Sequence, residues 1–98
     1  MKQVNKNKGF WVVAYDIADN RRRSRVIKII QRYGVRANYS VFECMFSDKQ
    51  LESIRERILK VISLPEDSVI FYPLCKECYS KVIYSPDKYR KPRVVAVL

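Results

Sequence analysis

Apolar positions recur along this chain with two different periods, and the places where the period changes mark its elements. From Phe10 to Ile17 every residue except Asp16 is apolar, most of them β-branched or aromatic, the pattern of a strand buried on both faces in the middle of a sheet. Val26, Ile29, Ile30 and Tyr33 then fall at i, i+3, i+4 and i+7, which predicts a helix through about Tyr33 with Asp19 as its N-cap and Gly34 as the left-handed residue after it. Arg36 to Phe46 favours strand again, with room for a short strand, a turn near Asn38 and Ser40, and a longer strand. Ser47 and Gln50 have the spacing of a capping box, just ahead of the helical stripe Leu51, Ile54, Ile58 and Val61. Pro65 closes that helix, and Ser68 to Leu74 reads as a further strand. Two short strand candidates remain, Lys81 to Tyr84 and Val94 to Leu98.

The order strand, helix, strand, strand, helix, strand predicts an α+β chain, a ferredoxin-like βαββαβ sandwich with an extra C-terminal strand. Residues 1–8 are expected to form a basic N-terminal arm, 9–84 the core, and 85–98 a basic C-terminal loop and strand. Both helices would cover one face of the sheet. The other face, apolar but uncovered, calls for a second surface, so a homodimer is expected, with the C-terminal strand candidates pairing to the partner's edge.

Composition narrows the chemistry. With 98 residues the chain has room for one domain, and 48% hydrophobic with 31% charged residues is the composition of a folded soluble protein. No run is long enough to span a bilayer and the N-terminus does not read as a signal peptide, so a cytoplasmic protein with no membrane association is expected. The three cysteines, an odd number, read as reduced thiols. Histidine is absent, which excludes Ser-His-Asp and Cys-His catalysis and Cys/His zinc sites.

Charge adds a direction. The 20 lysines and arginines against 10 acids give a net charge of +10, which points to a polyanionic partner. The excess is concentrated: Arg21, Arg22, Arg23, Arg25, Lys28, Arg32 and Arg36 face a single acid, Asp19, over that stretch. Arginines in the first turn of a helix oppose its dipole, so Arg21, Arg22, Arg23 and Arg25 imply a nearby anion, and a guanidinium suits bidentate contact with phosphate. The competing reading is an ordinary solvated helix face. Lys88, Arg90, Lys91 and Arg93 form a second basic group. Asp16, at the carboxyl end of the buried run, needs a partner: an arginine of the next helix, a turn, or a metal ion. In a two-fold dimer, two copies of Asp16 would supply two oxygen ligands, and Mg²⁺ commonly uses one or two carboxylates.

Tyr15-Asp16-Ile17, Asp19 with the arginines after it, Gly34, Ser40-Val41-Phe42-Glu43 and Val69 to Cys75 together resemble the small CRISPR-associated Cas2 family, in order and spacing over nearly all of Phe10 to Ile83. The resemblance implies a ferredoxin-like homodimer, Mg²⁺-dependent endonuclease activity on RNA or DNA, with Mn²⁺ as the alternative ion, and a place in the complex that inserts new CRISPR spacers, beside an integrase. By position it puts the catalytic, metal-binding aspartate on Asp16, the basic helix start on Arg21 to Arg23, and the hairpin serine and phenylalanine on Ser40 and Phe42, with Tyr15 and Ser40 as candidate orienting groups. The N-terminal arm and the longer basic C-terminus depart from the family pattern. Without histidine to accept a proton, hydrolysis is expected to rise toward alkaline pH.

Two other functions compete. A non-catalytic scaffold that binds duplex DNA in the integration complex would use the same basic surface. An RNA-recognition module would suit the 12% aromatic content but lacks the aromatic strand signature, so Tyr39, Phe42, Phe71 and Tyr72 are read as core and interface. Cys75 and Cys78 form one C-x-x-C pair. It reads as two half-buried thiols at a strand end, since the strand-then-helix setting of a redox motif is not evident in the pattern, and Cys44 reads as ordinary core.

Overall fold

The computed structural model describes residues 8–85. Most of the N-terminal arm, the C-terminal strand candidate Val94 to Leu98 and the second basic group lie outside them. The elements run β1 (Lys8–Asp16), α1 (Asn20–Ile30), β2 (Gly34–Asn38), β3 (Val41–Ser47), α2 (Asp48–Leu59), β4 (Ser68–Leu74) and α3 (Lys76–Ser80). The four strands form one antiparallel-paired sheet in the order β2-β3-β1-β4, the βαββαβ arrangement expected of a ferredoxin-like sandwich.

Local signals set the helix ends. The Asp19 side chain accepts the Arg22 amide at 2.9 Å and starts α1. Ser47 and Gln50 make the reciprocal capping box of α2. Helix α1 stops at Ile30, short of Tyr33, which turns its ring edge-on to Phe46 instead. Gly34 is also not a left-handed residue. It opens β2, and a side chain there would meet the Glu43 carbonyl oxygen at 2.0 Å, so close backbone approach, not positive φ, requires glycine.

The register sorts each strand into two faces. Trp11, Val13 and Tyr15 share a row with Phe42 and Cys44 of β3 and with Val69 and Phe71 of β4. On this side Val26, Ile29 and Ile30 of α1 and Ile54 and Ile58 of α2 close the core, with Val13, Val26 and Phe46 almost fully buried. A side chain the size of Phe46 contributes about 1.5–3 kcal/mol by leaving water. Burial pushes the Cys44 thiol up to about 12, which keeps it a neutral core group.

The opposite face corrects the expectation of a strand buried on both sides. Phe10 is covered there, stacked on Tyr79 of α3 with ring centroids 4.2 Å apart, but Val12 and Ala14 are half-buried and Asp16 is exposed. Their neighbours across β4, Tyr72 and Ile70, are 49% and 46% exposed. Lys81 to Tyr84 is not a strand either. Helix α3 forms directly after β4, and Tyr84 beyond it donates its hydroxyl to Glu43 Oε2 of β3 at 2.5 Å, which carries the chain across the open face rather than along an edge.

Candidate functional site

A groove of about 680 Å³ opens where β1 ends, lined by Tyr15, Asp16, Ile17, Arg23, Ile27, Arg36, Tyr39 and Ser40. Four elements build it: the end of β1, helix α1, strand β2 and the tip of the β2–β3 hairpin. The hairpin is tied down by β1. The Tyr15 amide donates to the Ser40 carbonyl at 3.0 Å, and the buried Tyr15 hydroxyl donates to the Tyr39 carbonyl at 2.8 Å. Tyr15 packs tilted against Phe42, and the Arg36 guanidinium lies over the Phe42 ring, 5.7 Å from its centroid. Phe42 therefore supports the groove from beneath, itself buried in the core.

Asp16 sits at the lip. Its backbone pairs with Ser68 of β4, while its exposed carboxylate has no hydrogen bond or ion pair among the described residues. The salt bridge to an arginine of the next helix that sequence reasoning allowed is absent there. That arginine has another acid. Arg22 places its Nε 2.7 Å from Asp67 Oδ2 and its Nη2 3.0 Å from Glu66.

Asp67 was not singled out by sequence reasoning, and it explains much of the site's shape. Its side chain is fully buried and also accepts the amides of Ser63, at 2.8 Å, and Ala18, at 3.4 Å. One carboxylate thus joins the loop after β1 to the loop before β4. The Arg22 guanidinium beside it, then the Ser63 amide, hold its carboxyl below the usual carboxylate range. The signal in the sequence was slight: an acid pair after Pro65, just before an apolar strand, facing a helix with surplus arginine.

The arginines proposed for nucleic-acid contact separate accordingly. Arg22 is held by Asp67 and Glu66. Arg23 donates from Nη1 to the Ile17 carbonyl at 2.7 Å and from Nη2 to Asn20, which turns it back over the groove. Arg21 and Arg25 lie exposed on α1. The anion inferred beside the first turn is, for Arg22, supplied by the protein itself. Of the aromatic residues read as core and interface, Phe42 is core and Phe71 packs partly buried against it, but Tyr39 is 88% exposed, because the hairpin turn uses its backbone carbonyl and leaves its ring outside.

As a metal site one chain is incomplete. Among the described residues no group of three His, Cys, Asp or Glu side chains could hold an ion, and Asp16 is the groove's only carboxylate. Its exposed oxygens are the acidic groups that the groove presents to solvent. No helix among the described residues is long and apolar enough to cross a membrane.

Comparison with known proteins agrees with this architecture. The family model for CRISPR associated protein Cas2 matches residues 9–82. The chain is 41% identical over 86 residues to a CRISPR-associated endoribonuclease Cas2 from Synechocystis sp., covering 85% of this chain and 92% of that one. Its structure is similar to that of Streptococcus pyogenes Cas2, with TM-score 0.72 and 30% identity over 76% of this chain and 96% of the other. It is also similar to a chain of a partial Cas6-RT-Cas1–Cas2 complex, with TM-score 0.63 and 25% identity over 78% and 89% of the two chains.

Proposed function

The chain belongs to the CRISPR-associated Cas2 family, and from that premise we propose that it is a metal-dependent endonuclease that hydrolyses phosphodiester bonds of RNA or DNA and serves, as a cytoplasmic homodimer, in CRISPR spacer acquisition. The observation that carries the reading is Asp16, an exposed carboxylate without a partner among the described residues, at the lip of a groove that also holds Arg23 and Arg36. A hydrated acid in the same groove as two arginines offers an oxygen ligand to a cation and places positive charge nearby for a phosphate. Likeness to a chain from a Cas1-containing complex supports an integrase partner.

The open face supports the dimer. Val12, Ala14, Ile70 and Tyr72 are only partly covered, and buried Glu43 Oε1 has no hydrogen-bond partner among the described residues. A second copy would cover the apolar row and offer that oxygen a donor. Across such an interface Asp16 and its symmetry mate would hold Mg²⁺, or Mn²⁺ in its place. The ion when bound supplies a Lewis acid and an acidified water. Arg23 and Arg36 bring positive charge to the same groove as the substrate phosphate and stabilise charge that builds on it. Tyr15 and Ser40 act by position: buried Tyr15 holds the hairpin tip, and the Ser40 carbonyl is its second anchor. With no histidine to take a proton, the rate should rise toward alkaline pH; a flat or acid-favouring profile would count against this chemistry.

A second reading, a non-catalytic scaffold on duplex DNA, is favoured by exposed Arg21 and Arg25 and by the single carboxylate each chain contributes. One comparison separates the two. Wild type and Asp16→Ala are assayed with Mg²⁺ on RNA and on duplex DNA: loss of cleavage in the variant supports the nuclease, and equal residual cleavage in both leaves the scaffold.

A further inference from the structure

The C-x-x-C pair stands apart from the groove, and its setting differs from the one its sequence suggested. Strand β4 ends at Leu74, Cys75 follows as the N-cap of α3, and Cys78 lies one turn into that helix. The Cys78 amide donates to Cys75 Sγ at 3.3 Å, so the two residues face each other across the first turn. Both side chains are exposed rather than half-buried. A strand that leads directly into a helix opened by the first cysteine of such a pair is the setting in which dithiols exchange with disulfides.

We propose that Cys75 and Cys78 form a redox-active dithiol that closes reversibly into an intramolecular disulfide by exchange with small disulfides of the glutathione class. The Cys75 thiolate attacks one sulfur of the small disulfide, whose S–S bond breaks and releases one thiolate. The resulting mixed disulfide is then attacked at Cys75 Sγ by Cys78 after its thiol gives its proton to solvent, and the second small thiol leaves. Two protein thiols are oxidised by two electrons, and one small disulfide is reduced to two thiols. The roles follow from the asymmetry of the pair. The Cys78 amide and thiol, donating to Cys75, hold its thiol below the ordinary cysteine range, whereas the neighbouring Cys75 sulfur raises Cys78. Cys44, buried and raised to about 12, is an internal control.

The experiment uses the full reduced chain, equilibrated in glutathione and glutathione-disulfide mixtures, quenched with acid, alkylated and mapped by mass spectrometry. The expected result is a Cys75–Cys78 bond within one chain at the oxidised end, lost again on reduction, with Cys44 free throughout. Brief alkylation at neutral pH should modify Cys75 roughly tenfold faster than Cys78. Cys78→Ser should accumulate a mixed disulfide at Cys75, and Cys75→Ser should accumulate none over the same time. The proposal is overturned if no such bond forms in the most oxidising mixture, if bonds form only between chains, or if the two thiols alkylate at equal rates. None of these measurements depends on cleavage, so the proposal stands or fails separately from the nuclease reading.

Discussion

Asp67 and Asp16 both meet the loop between β1 and α1, and they are employed in opposite ways. Asp67 is buried and saturated by the Arg22 guanidinium and the amides of Ser63 and Ala18. Asp16, where the same loop leaves β1, is exposed and unpaired among the described residues. Desolvating a carboxylate costs several kcal/mol unless donors replace its water, and Asp67 has those donors while Asp16 keeps its water. The first acid therefore maintains the loop's shape, and the second is left free to meet something outside the chain. The arginines divide along the same line: Arg22 is committed to the structure, while Arg21 and Arg25 are not.

Exchanging the two acids' roles should be most visible at Asp16. With Asp16→Ala, Mg²⁺-dependent cleavage should fall at least about a hundredfold, the rate equivalent of several kcal/mol of lost charge stabilisation. The unfolding midpoint should stay where it is, because an exposed carboxylate without partners takes no contact with it. Cleavage assays paired with thermal unfolding check both halves. A variant that loses activity only because it unfolds would erase the contrast.

Asp67→Ala should do the reverse. Removing it strands the Arg22 guanidinium and the Ser63 and Ala18 amides in a poorly hydrated junction, so the midpoint should drop by several degrees, and cleavage at temperatures where the variant stays folded should fall much less than in Asp16→Ala. Scanning calorimetry with a single-temperature assay measures both.

The contrast also shows which parts of the molecule its sequence discloses. Strand β4 was legible to the residue, and both helix starts were, because Asp19 and the Ser47–Gln50 box are local signals that act within one turn. The groove was legible through Asp16, since an acid that ends an apolar run is conspicuous. Asp67 was not, because its meaning depends on Arg22, 45 residues away in sequence and adjacent only after folding. The same reason hid Tyr84, which reaches Glu43 over 41 residues and turns an expected strand into a strap across the sheet. Helix α3 was missed because five residues are too few for a period, and its cap is a cysteine rather than one of the usual oxygen-bearing residues.

Acid sharpens the comparison further. The Asp67 carboxyl lies below its ordinary value of 3.8 in the folded chain, chiefly through Arg22 and then the Ser63 amide. A depressed value means that its stabilisation is complete above the unfolded value and is lost as pH falls through the folded one. The gap in unfolding midpoint between wild type and Asp67→Asn should therefore be constant near neutrality and shrink below about pH 4. Midpoints recorded from pH 7 down to about pH 3 decide this; a gap that widens on acidification would reverse the assignment of Asp67.

The smallest effect concerns the arginines. If Arg21 and Arg25 meet phosphate, replacing either by alanine should weaken duplex binding about equally for all sequences and lower the magnitude of the log K against log salt slope by roughly one. Arg22→Ala should leave that slope nearly unchanged, since its charge is already matched by Asp67 and Glu66, and should appear instead as a lower unfolding midpoint. Titrations at several salt concentrations distinguish the two kinds of arginine. Equal slope changes for all three would mean that nucleic acid competes Arg22 away from Asp67, and the loop after β1 would then be reshaped by binding rather than fixed before it.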